Sequence, residues 1–286
     1  MSTQITTAFV EQYKSNVLHL AQQKGSRLRD AVRSETVTGK AHFFERIGST
    51  AAEKRASRHS DTPRMDTPHS RRKVSLDDYD WADLIDNEDK VRMLISPQSE
   101  YAMAGAWAMG RAMDDAIIAA AVGTAYGGVA GGTSVSLPSG NKVVHASGGL
   151  TLAKLLSAKE IMDAADIDPD EPRYLACAAG QITDLLNVTQ VTSSDYATVK
   201  ALVQGDVDSF LGFKFLRTQR LGTDSDGNRQ VTAWAKSGIG LALGADIKTK
   251  ISERDDKNYA TQVFLSMTIG ATRIEEEKIV EIACTE

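Results

Sequence analysis

One segment near the beginning of the chain has almost none of the large apolar side chains from which a protein core is built. Residues 48–73 read GSTAAEKRASRHSDTPRMDTPHSRRK, in which Met65 stands alone among small, polar and charged residues. A segment so poor in apolar groups cannot form a compact domain through its own burial energy. We therefore expect residues 35–80 to be either disordered or an extended hairpin that is stabilised by contacts outside its own domain.

The rest of the chain has enough apolar residues for a sizeable core. It has 286 residues, of which 42% are hydrophobic, and a formal net charge of −5. This length fits one large domain or two smaller ones. The sequence has no run of about 18 consecutive apolar residues that would predict a membrane-spanning helix, and MSTQITTAFVEQYKSN lacks the pattern of a secretory signal. Cys177 and Cys284 are too few for a disulfide scaffold or a zinc cluster, so we expect buried thiols in a reducing compartment.

The clearest helical pattern covers residues 96–123. Ser96 is suited to the N-cap and Pro97 to the first helical position. Arg111 and Asp115 have the spacing of an i,i+4 ion pair. This pattern predicts a helix about 40 Å long, which we interpret as the spine of a domain. Small and apolar residues repeat with helical spacing at Met103, Ala106, Trp107, Gly110, Met113, Ile117 and Ala120.

Shorter helices and several strands are predicted elsewhere. The segments FKFLRTQRL and RQVTAWA flank the turn TDSDGN, which predicts a β-hairpin, and a smaller hairpin is predicted to turn at residues 139–141. Apolar residues alternate with polar or small ones from Val263 to Ala271, which indicates a sheet with one covered face. The prediction is an α+β fold with one long helix and a mostly antiparallel sheet. Shorter helices are expected at residues 8–33, 151–165, 181–187 and 194–205.

No motif in the sequence predicts a catalytic, metal or nucleotide site. The segment DSDGN resembles the start of a calcium loop, but Gly227 comes too early and Ala235 stands where the closing glutamate should be. A turn is the better interpretation. His59 and His69 lack further ligands at metal-binding spacing, and GVAGGTS lacks the lysine of a phosphate loop. We therefore predict no enzymatic activity, no cofactor and no metal.

The segment that is poor in apolar residues is also basic, although the chain as a whole is acidic. An acidic run at residues 77–89 follows it directly. A flexible arm for nucleic acid at residues 54–73 is one interpretation, but the segment lacks aromatic residues that could stack on bases. The other is that the basic tip of one copy lies on the acidic run of a neighbouring copy. The residues expected in such contacts between subunits are Phe43, Phe44, Arg55, Arg58, Arg64, Arg71, Arg72, Asp77 and Asp78.

The order of these parts resembles that of a known family. The chain has an N-terminal arm, an extended hairpin, an acidic strand, a long helix begun by proline, a Gly-rich loop, a compact α+β portion and closing strands. One stretch is similar to the return strand and the spine helix of the major capsid protein of tailed bacteriophages, whose fold is named for phage Hong Kong 97. It is RRKVSLDDYDWADLIDNEDKVRMLISPQSEYAMAGAWAMGRAMDDAIIAAA, residues 71–121.

The resemblance implies a division of the chain and a set of partners. It implies pentamers and hexamers that form an icosahedral head shell around double-stranded DNA, assembled in the host cytoplasm with no membrane partner. A separate scaffolding protein, a portal and decoration proteins are implied partners. Arg27, Arg29 and Arg33 are expected to face the DNA without reading its sequence. The implied parts are an N-terminal arm at 1–35, an extended loop at 36–80, a peripheral domain at 81–149 and 246–286 with its spine helix at 97–122, and an axial domain at 150–245.

Two alternatives remain open at this point. One is an encapsulin-like compartment protein of the same fold that encloses cargo instead of DNA. The other is a soluble nucleic-acid-binding protein that uses residues 54–73 as a basic arm.

Overall fold

The chain combines helices with extended sheets. Its computed structural model describes residues 21–55, 57–59, 61–62, 64–86, 98–144, 148–187 and 209–285. The predicted α+β fold is confirmed in these residues, which form three α-helices and three sheets. The helices are α1 (Gln98–Val122), α2 (Leu152–Ala164) and α3 (Ala179–Asn187). The strands are β1 (Arg33–Thr36), β2 (Ala41–Ile47), β3 (His69–Ser75), β4 (Asp77–Ile85), β5 (Ala125–Gly127), β6 (Thr133–Val135), β7 (Lys142–Val143), β8 (Arg173–Cys177), β9 (Ser209–Phe210), β10 (Phe213–Arg217), β11 (Arg229–Ala235), β12 (Ile239–Arg254), β13 (Ala260–Arg273) and β14 (Ile279–Cys284).

Helix α1 is the long helix that the sequence predicted. Alanine recurs along it and favours the helical backbone. Met113 and Ile117 are each 1% exposed and pack in the main core, whereas Met103, predicted on the same face, is 43% exposed. The predicted N-cap residues, Ser96 and Pro97, lie outside the described residues.

The predicted ion pair within α1 is wrong. Arg111 donates to the side-chain oxygen of Gln22 at 2.9 Å, while Asp115 pairs with Arg220. Both residues of the expected pair thus bind segments that lie far away in the sequence. The cause is tertiary: two other segments cross the helix at this level and offer better partners than the next helical turn does.

A four-stranded sheet packs against α1, with the strand order β1-β12-β13-β4. Strands β12 and β13 form a long antiparallel ribbon from Ile239 opposite Arg273 to Arg254 opposite Ala260. The predicted alternation is confirmed, because Val263, Leu265, Met267 and Ile269 are all buried on the face toward the core.

A six-stranded sheet has the order β7-β14-β11-β8-β10-β9. The predicted hairpin of β10 and β11 is wrong, because β8 lies between these two strands and is hydrogen bonded to both. The turn between them is confirmed, since the Asp224 carboxylate accepts bonds from the backbone N–H of Asp226 (2.9 Å) and Asn228 (2.8 Å). Gly227 takes a positive φ of 81° in this turn, which glycine adopts without strain.

Three further predictions concern the segments at residues 139–141, 151–165 and 194–205. The predicted helix at 151–165 is confirmed as α2, whose N-cap Thr151 accepts a bond from the Lys154 backbone. Residues 139–141 form a single 3₁₀ turn instead of a hairpin, because β6 pairs with β5 and β7 pairs with β14. The predicted helix at 194–205 lies outside the described residues.

The N-terminal segment differs from the predicted helix at 8–33. Residues 1–20 lie outside the described part of the chain, and residues 21–32 form only a 3₁₀ turn at Arg29–Ala31. The segment crosses the molecule in an extended path, with Leu28 fully buried. The indole N–H of Trp234 donates to the backbone oxygen of Ala31 at 2.9 Å. The apolar residues of this segment therefore fill the core of the body without a helix.

The third sheet contains the hairpin and has the order β2-β3-β5-β6. Strands β2 and β3 pair antiparallel from Ala41 opposite Ser75 to Ile47 opposite His69. The sheet topology crosses the division implied by the resemblance. Strands β7 and β14 were both grouped with the peripheral domain but belong to the six-stranded sheet, and β12 (Ile239–Arg254) of the four-stranded sheet crosses the boundary at 245/246.

Candidate inter-subunit surface

The outer face of the hairpin carries an aromatic ring under a guanidinium group. Side chains alternate along a strand, so Phe43 points away from the body while its neighbour Phe44 points toward it. Phe43 is half-buried, and the Arg71 guanidinium lies 5.3 Å from the centre of its ring. Arg71 also pairs with Glu45 across the two strands at 3.1 Å. This small cluster leaves a cation and part of a ring available at the surface.

The base of the hairpin is buried in the subunit. Phe44 is 2% exposed and packs in a small apolar cluster with Val37, Val74, Ala242 and Ile274. Gly240 permits this approach, because a Cβ atom there would lie 2.7 Å from the Phe44 ring.

Arg72 is likewise enclosed, at 6% exposure, and pairs with Glu276 of the same chain. The contacts of Phe44 and Arg72 are therefore intramolecular. The predicted contacts with a neighbouring subunit do not extend to these two residues, because each points toward the body from its strand.

The tip of the hairpin lies beyond the bond from the Gly48 N–H to the Pro68 oxygen, at 2.9 Å. Every described residue from Ile47 to Ser70 is exposed. The Arg55 guanidinium donates to the backbone oxygen of Ser57 at 3.0 Å and to that of Arg58, which braces a local turn. Arg58 and Arg64 are exposed, and their predicted contact with a neighbouring subunit stays a prediction. The tip thus presents cations with almost no apolar cover.

An acidic strip lies on β4. Asp77, Asp78 and Asp80 are exposed and Asp83 is half-buried, without any cation in the strand. Asp78 accepts a bond from the hydroxyl of Thr268 at 2.6 Å and keeps its second oxygen at the surface. Residues 87–89 of the predicted acidic run lie outside the described part of the chain. Between Gly48 and Pro68 the tip carries four cations and the three anions Glu53, Asp61 and Asp66, so its net charge is weakly positive and opposite to that of the strip.

The three arginines predicted to face DNA each have a partner within the chain. Arg29 pairs with Asp246 at 2.7 Å, and this contact raises the pKa of Arg29 and lowers that of Asp246. Arg33 donates to Glu35 at 2.8 Å, and Arg27 donates to the backbone oxygen of Arg217. Arg27 and Arg33 are exposed and Arg29 is half-buried. The structure gathers them on one segment, where Arg29 and Arg33 form ion pairs and Arg27 bonds to a neutral carbonyl.

Asp114 of α1 holds the same N-terminal segment, and sequence reasoning missed it. Its carboxylate is fully buried and accepts bonds from the hydroxyl of Ser26 (2.5 Å) and from the backbone N–H of Arg27 (3.0 Å) and Leu28 (3.1 Å). Several N–H and O–H donors compensate for removing this charge from water. The only sequence signal is an aspartate on the otherwise small and apolar face of a helix.

A close backbone contact supports the Asp114 anchor. Gly110 lies one helical turn before Asp114, and a Cβ atom at Gly110 would lie 2.5 Å from the backbone carbon of Gly25. Gly25 itself has a positive φ of 72°. Lys24 lies over the ring of Trp107 at 5.4 Å. These contacts fix residues 24–28 across α1.

The arrangement offers charge and shape for association with another molecule. Among the described residues, no group of three or more His, Cys, Asp and Glu side chains could hold a metal ion. None of the described helices is long and apolar enough to cross a membrane. Burial raises the pKa of Cys177 to about 12 and that of Cys284 to about 11, so both thiols stay protonated at neutral pH. The described surface carries ion pairs and a half-buried aromatic ring.

The fold of this chain is similar to the folds of several solved structures. The capsid of cyanophage P-SCSP1u has a TM-score of 0.73 at 20% identity, over 100% of this chain and 96% of that one. The capsid of Ralstonia phage GP4 has a TM-score of 0.69 at 9% identity, over 96% and 94%. A structure of Mycobacterium phage Che8 has a TM-score of 0.67 at 14% identity, over 96% of each chain. At these identities the likeness concerns the fold, which is the Hong Kong 97-like fold that the resemblance implied.

The sequence itself identifies the family to which the chain belongs. No curated protein sequence is significantly similar to this chain. A family model described as phage capsid protein matches residues 5–286, which is nearly the whole chain. This protein therefore belongs to the phage capsid protein family.

Proposed function

We propose that the chain is the major capsid protein of a tailed bacteriophage and that copies of it form the pentamers and hexamers of an icosahedral head shell. The observation that carries this proposal is the hairpin, in which every described residue from Ile47 to Ser70 is exposed. Such a segment gains order when it lies across a second molecule. The shell encloses double-stranded DNA, and its role is structural instead of enzymatic.

The hairpin and the acidic strip supply complementary surfaces for neighbouring copies. Arg55, Arg58 and Arg64 at the tip of one copy meet Asp77 and Asp78 on β4 of the next. Each exposed ion pair contributes only about 0–1 kcal/mol. A symmetric shell repeats the contact many times, and this repetition makes weak pairs effective. Phe43 and Arg71 extend the same surface toward the base of the hairpin.

The remaining parts of the chain have roles that follow from their positions. Residues 1–35 act as an arm that leaves from the Asp114 anchor, and residues 36–80 act as the extended loop. Helix α1 with β12 and β13 belongs to the peripheral domain, and residues 150–238 together with β7 and β14 form the axial domain. The N-terminal cations contact packaged DNA through its phosphates without sequence specificity. Scaffolding, portal and decoration proteins are the further partners, and assembly takes place in the host cytoplasm before the protein resides in the virion.

An encapsulin-like compartment is not favoured, because the family that matches the chain is one of phage capsids. The soluble nucleic-acid-binding alternative is not favoured either. A free basic arm that binds nucleic acid would not need an acidic strip, of opposite charge to the arm, on its own body.

Electron microscopy of the purified chain tests the proposal. We expect closed shells from the wild type, and at least about tenfold fewer shells from a variant with Arg55, Arg58 and Arg64 replaced by alanine. A tenfold loss corresponds to about 1.4 kcal/mol, which a few weak pairs supply. The matched control replaces Lys214, Lys248 and Lys250 with alanine, three exposed cations outside the hairpin. Equal shell yields from the two variants would remove the role given to the tip.

A further inference from the structure

Three arginines surround a single carboxylate at the base of the hairpin. Glu276 is 7% exposed and lies in the turn between β13 and β14. Arg72 donates to its Oε1, and Arg46 lies 3.4 Å from its Oε2. The Nε atom of Arg273, which is fully buried, lies 4.0 Å from Oε1. We call these four residues the Glu276 junction.

Each guanidinium group ties a different element to this carboxylate. Arg46 comes from β2 and also donates to the backbone oxygen of Ile274 at 2.7 Å. Arg72 comes from β3. The junction therefore holds both strands of the hairpin to the turn that leads from the four-stranded sheet into the six-stranded sheet.

Arg273 extends the junction to the end of the spine helix. It donates to the backbone oxygens of Ala121 (3.1 Å) and Gly123 (2.7 Å), which lie at the C-terminus of α1. It also donates to the oxygen of Val135 on β6 at 2.7 Å. A guanidinium group at a helix C-terminus is favourable, because the exposed carbonyls there carry partial negative charge. One fully buried side chain thus connects α1, the hairpin sheet and the turn at Glu276.

The negative charge of the Glu276 carboxylate stabilises the three positive guanidinium groups around it. Within the described residues, the Nε atoms of Arg72 and Arg273 are buried and have no hydrogen-bond partner. Burial lowers the pKa of Arg273, while the charge of Glu276 opposes that effect. If the carboxylate lost its charge, three guanidinium groups would remain close together with no anion among them. Breaking a buried pair by removing one partner is far more costly than losing an exposed pair.

The hairpin has further attachments to the subunit. Strand β3 pairs with β5 and continues through Leu76 into β4, and Phe44 packs in a small cluster that is separate from the main core. Gly127 of β5 lies directly against Arg72, since a Cβ atom there would be 2.5 Å from a guanidinium nitrogen. Strands β2, β3 and β5 of the hairpin sheet therefore all lie against the Glu276 junction.

We propose that Glu276 is a positioning residue that sets the direction in which the hairpin leaves the subunit. The carboxylate acts through Arg46 and Arg72 on the two strands and, beside Arg273, links them to the end of α1. The assembly role of this direction rests on the proposed function, because the hairpin must reach a neighbouring copy at a defined angle. The local effect on the hairpin does not depend on assembly.

Hydrogen exchange of the full chain tests the local effect with Glu276→Gln. The matched control is Glu275→Gln, because Glu275 is the adjacent residue and makes a partly exposed pair with Lys278 outside the junction. We expect amide exchange in β2 and β3 to become at least tenfold faster in Glu276→Gln, with little change in β11 and β14, and no change in the control. Unchanged exchange in the hairpin, or an equal increase in all three sheets, would overturn the proposal.

A second variant keeps the test decisive if Glu276→Gln does not fold. Arg72→Gln retains the carboxylate and should also accelerate exchange in β2 and β3. In the double variant, we expect exchange no faster than in the faster single variant, because both changes break one junction. Multiplied effects would show two independent attachments and contradict a single positioning residue.

Electron microscopy then separates the two proposals. Glu276→Gln should give shells of mixed size or open sheets, while Glu275→Gln should match the wild type. Uniform wild-type shells from a variant with a loosened hairpin would reject the positioning role. If the wild type forms no shells either alone or when produced with its scaffolding partner, the proposed function fails, while the exchange result still decides whether the Glu276 junction holds the hairpin.

Discussion

The base and the tip of the hairpin belong to the same pair of strands but are stabilised in opposite ways. At the base, Phe44 is 2% exposed and Arg72 is 6% exposed, and both contact the body of their own subunit. At the tip, Met65 is 41% exposed and the cations around it extend into solvent. The difference teaches that one secondary-structure element can have two sources of order. The subunit supplies the first, and we propose that a neighbouring copy supplies the second.

The largest expected difference between body and tip is in thiol reactivity. Burial raises the pKa of Cys177 to about 12, whereas an exposed cysteine has an ordinary pKa of about 8.5. Only the thiolate reacts, so at pH 8 an engineered Thr62→Cys at the tip should react with iodoacetamide about a thousandfold faster than Cys177. A raised pKa keeps the thiol protonated until the pH rises to that value, so the difference should shrink only at strongly alkaline pH. Mass spectrometry of labelled peptides measures both rates, and equal rates would show that the body is open.

The next largest effect concerns two neighbouring phenylalanines of β2. Phe44→Ala removes a buried ring and should lower the free energy of unfolding by about 3–5 kcal/mol. Phe43→Ala should lower it by less than about 1.5 kcal/mol, because this ring is half-buried under Arg71. Chemical denaturation of the two variants measures the contrast. Similar losses at the two positions would show that the outer face of the hairpin is as well packed as its base.

A smaller effect is expected at two neighbouring aspartates of α1. Asp114→Asn leaves buried donors poorly satisfied and should cost about 1–3 kcal/mol, with faster proteolysis of residues 21–28. Asp115→Asn should cost at most about 1 kcal/mol, because its pair with Arg220 is partly exposed. Limited proteolysis followed by mass spectrometry reports the release of the segment. If both variants release it equally, Asp114 is not its anchor.

Sequence reasoning reached the elements but not the partners of several charged residues. The alternation in β13 and the alanine-rich pattern of α1 identified a strand and a helix, because burial on one face produces a local period. The scarcity of apolar residues at 48–73 identified the exposed tip, because a segment without apolar side chains has little to bury. The position of β8 between β10 and β11 could not be predicted. A turn signal shows that the chain reverses, but it does not show whether the two strands it joins pair with each other or with a third strand.

The buried charges were beyond reach of the sequence for a different reason. Glu276 stands in the run EEEK, which is typical of a solvated surface. Its burial depends on Arg46 and Arg72, which lie far away in the sequence and meet it only in the folded chain. Asp114 and Asp115 are adjacent and identical, yet one is fully buried and the other is partly exposed. Such contacts have no local period.

Hydrogen exchange of residues 49–67, compared between the dissociated subunit and the purified shell, tests most directly whether a neighbouring copy orders the tip. We expect these amides to exchange at nearly the rate of an unfolded chain in the subunit, and at least about tenfold more slowly in the shell, since a covered segment opens less often. The strands β12 and β13 should be protected in both states. Equal protection of residues 49–67 in the two states would contradict the claim that a neighbouring copy orders the tip.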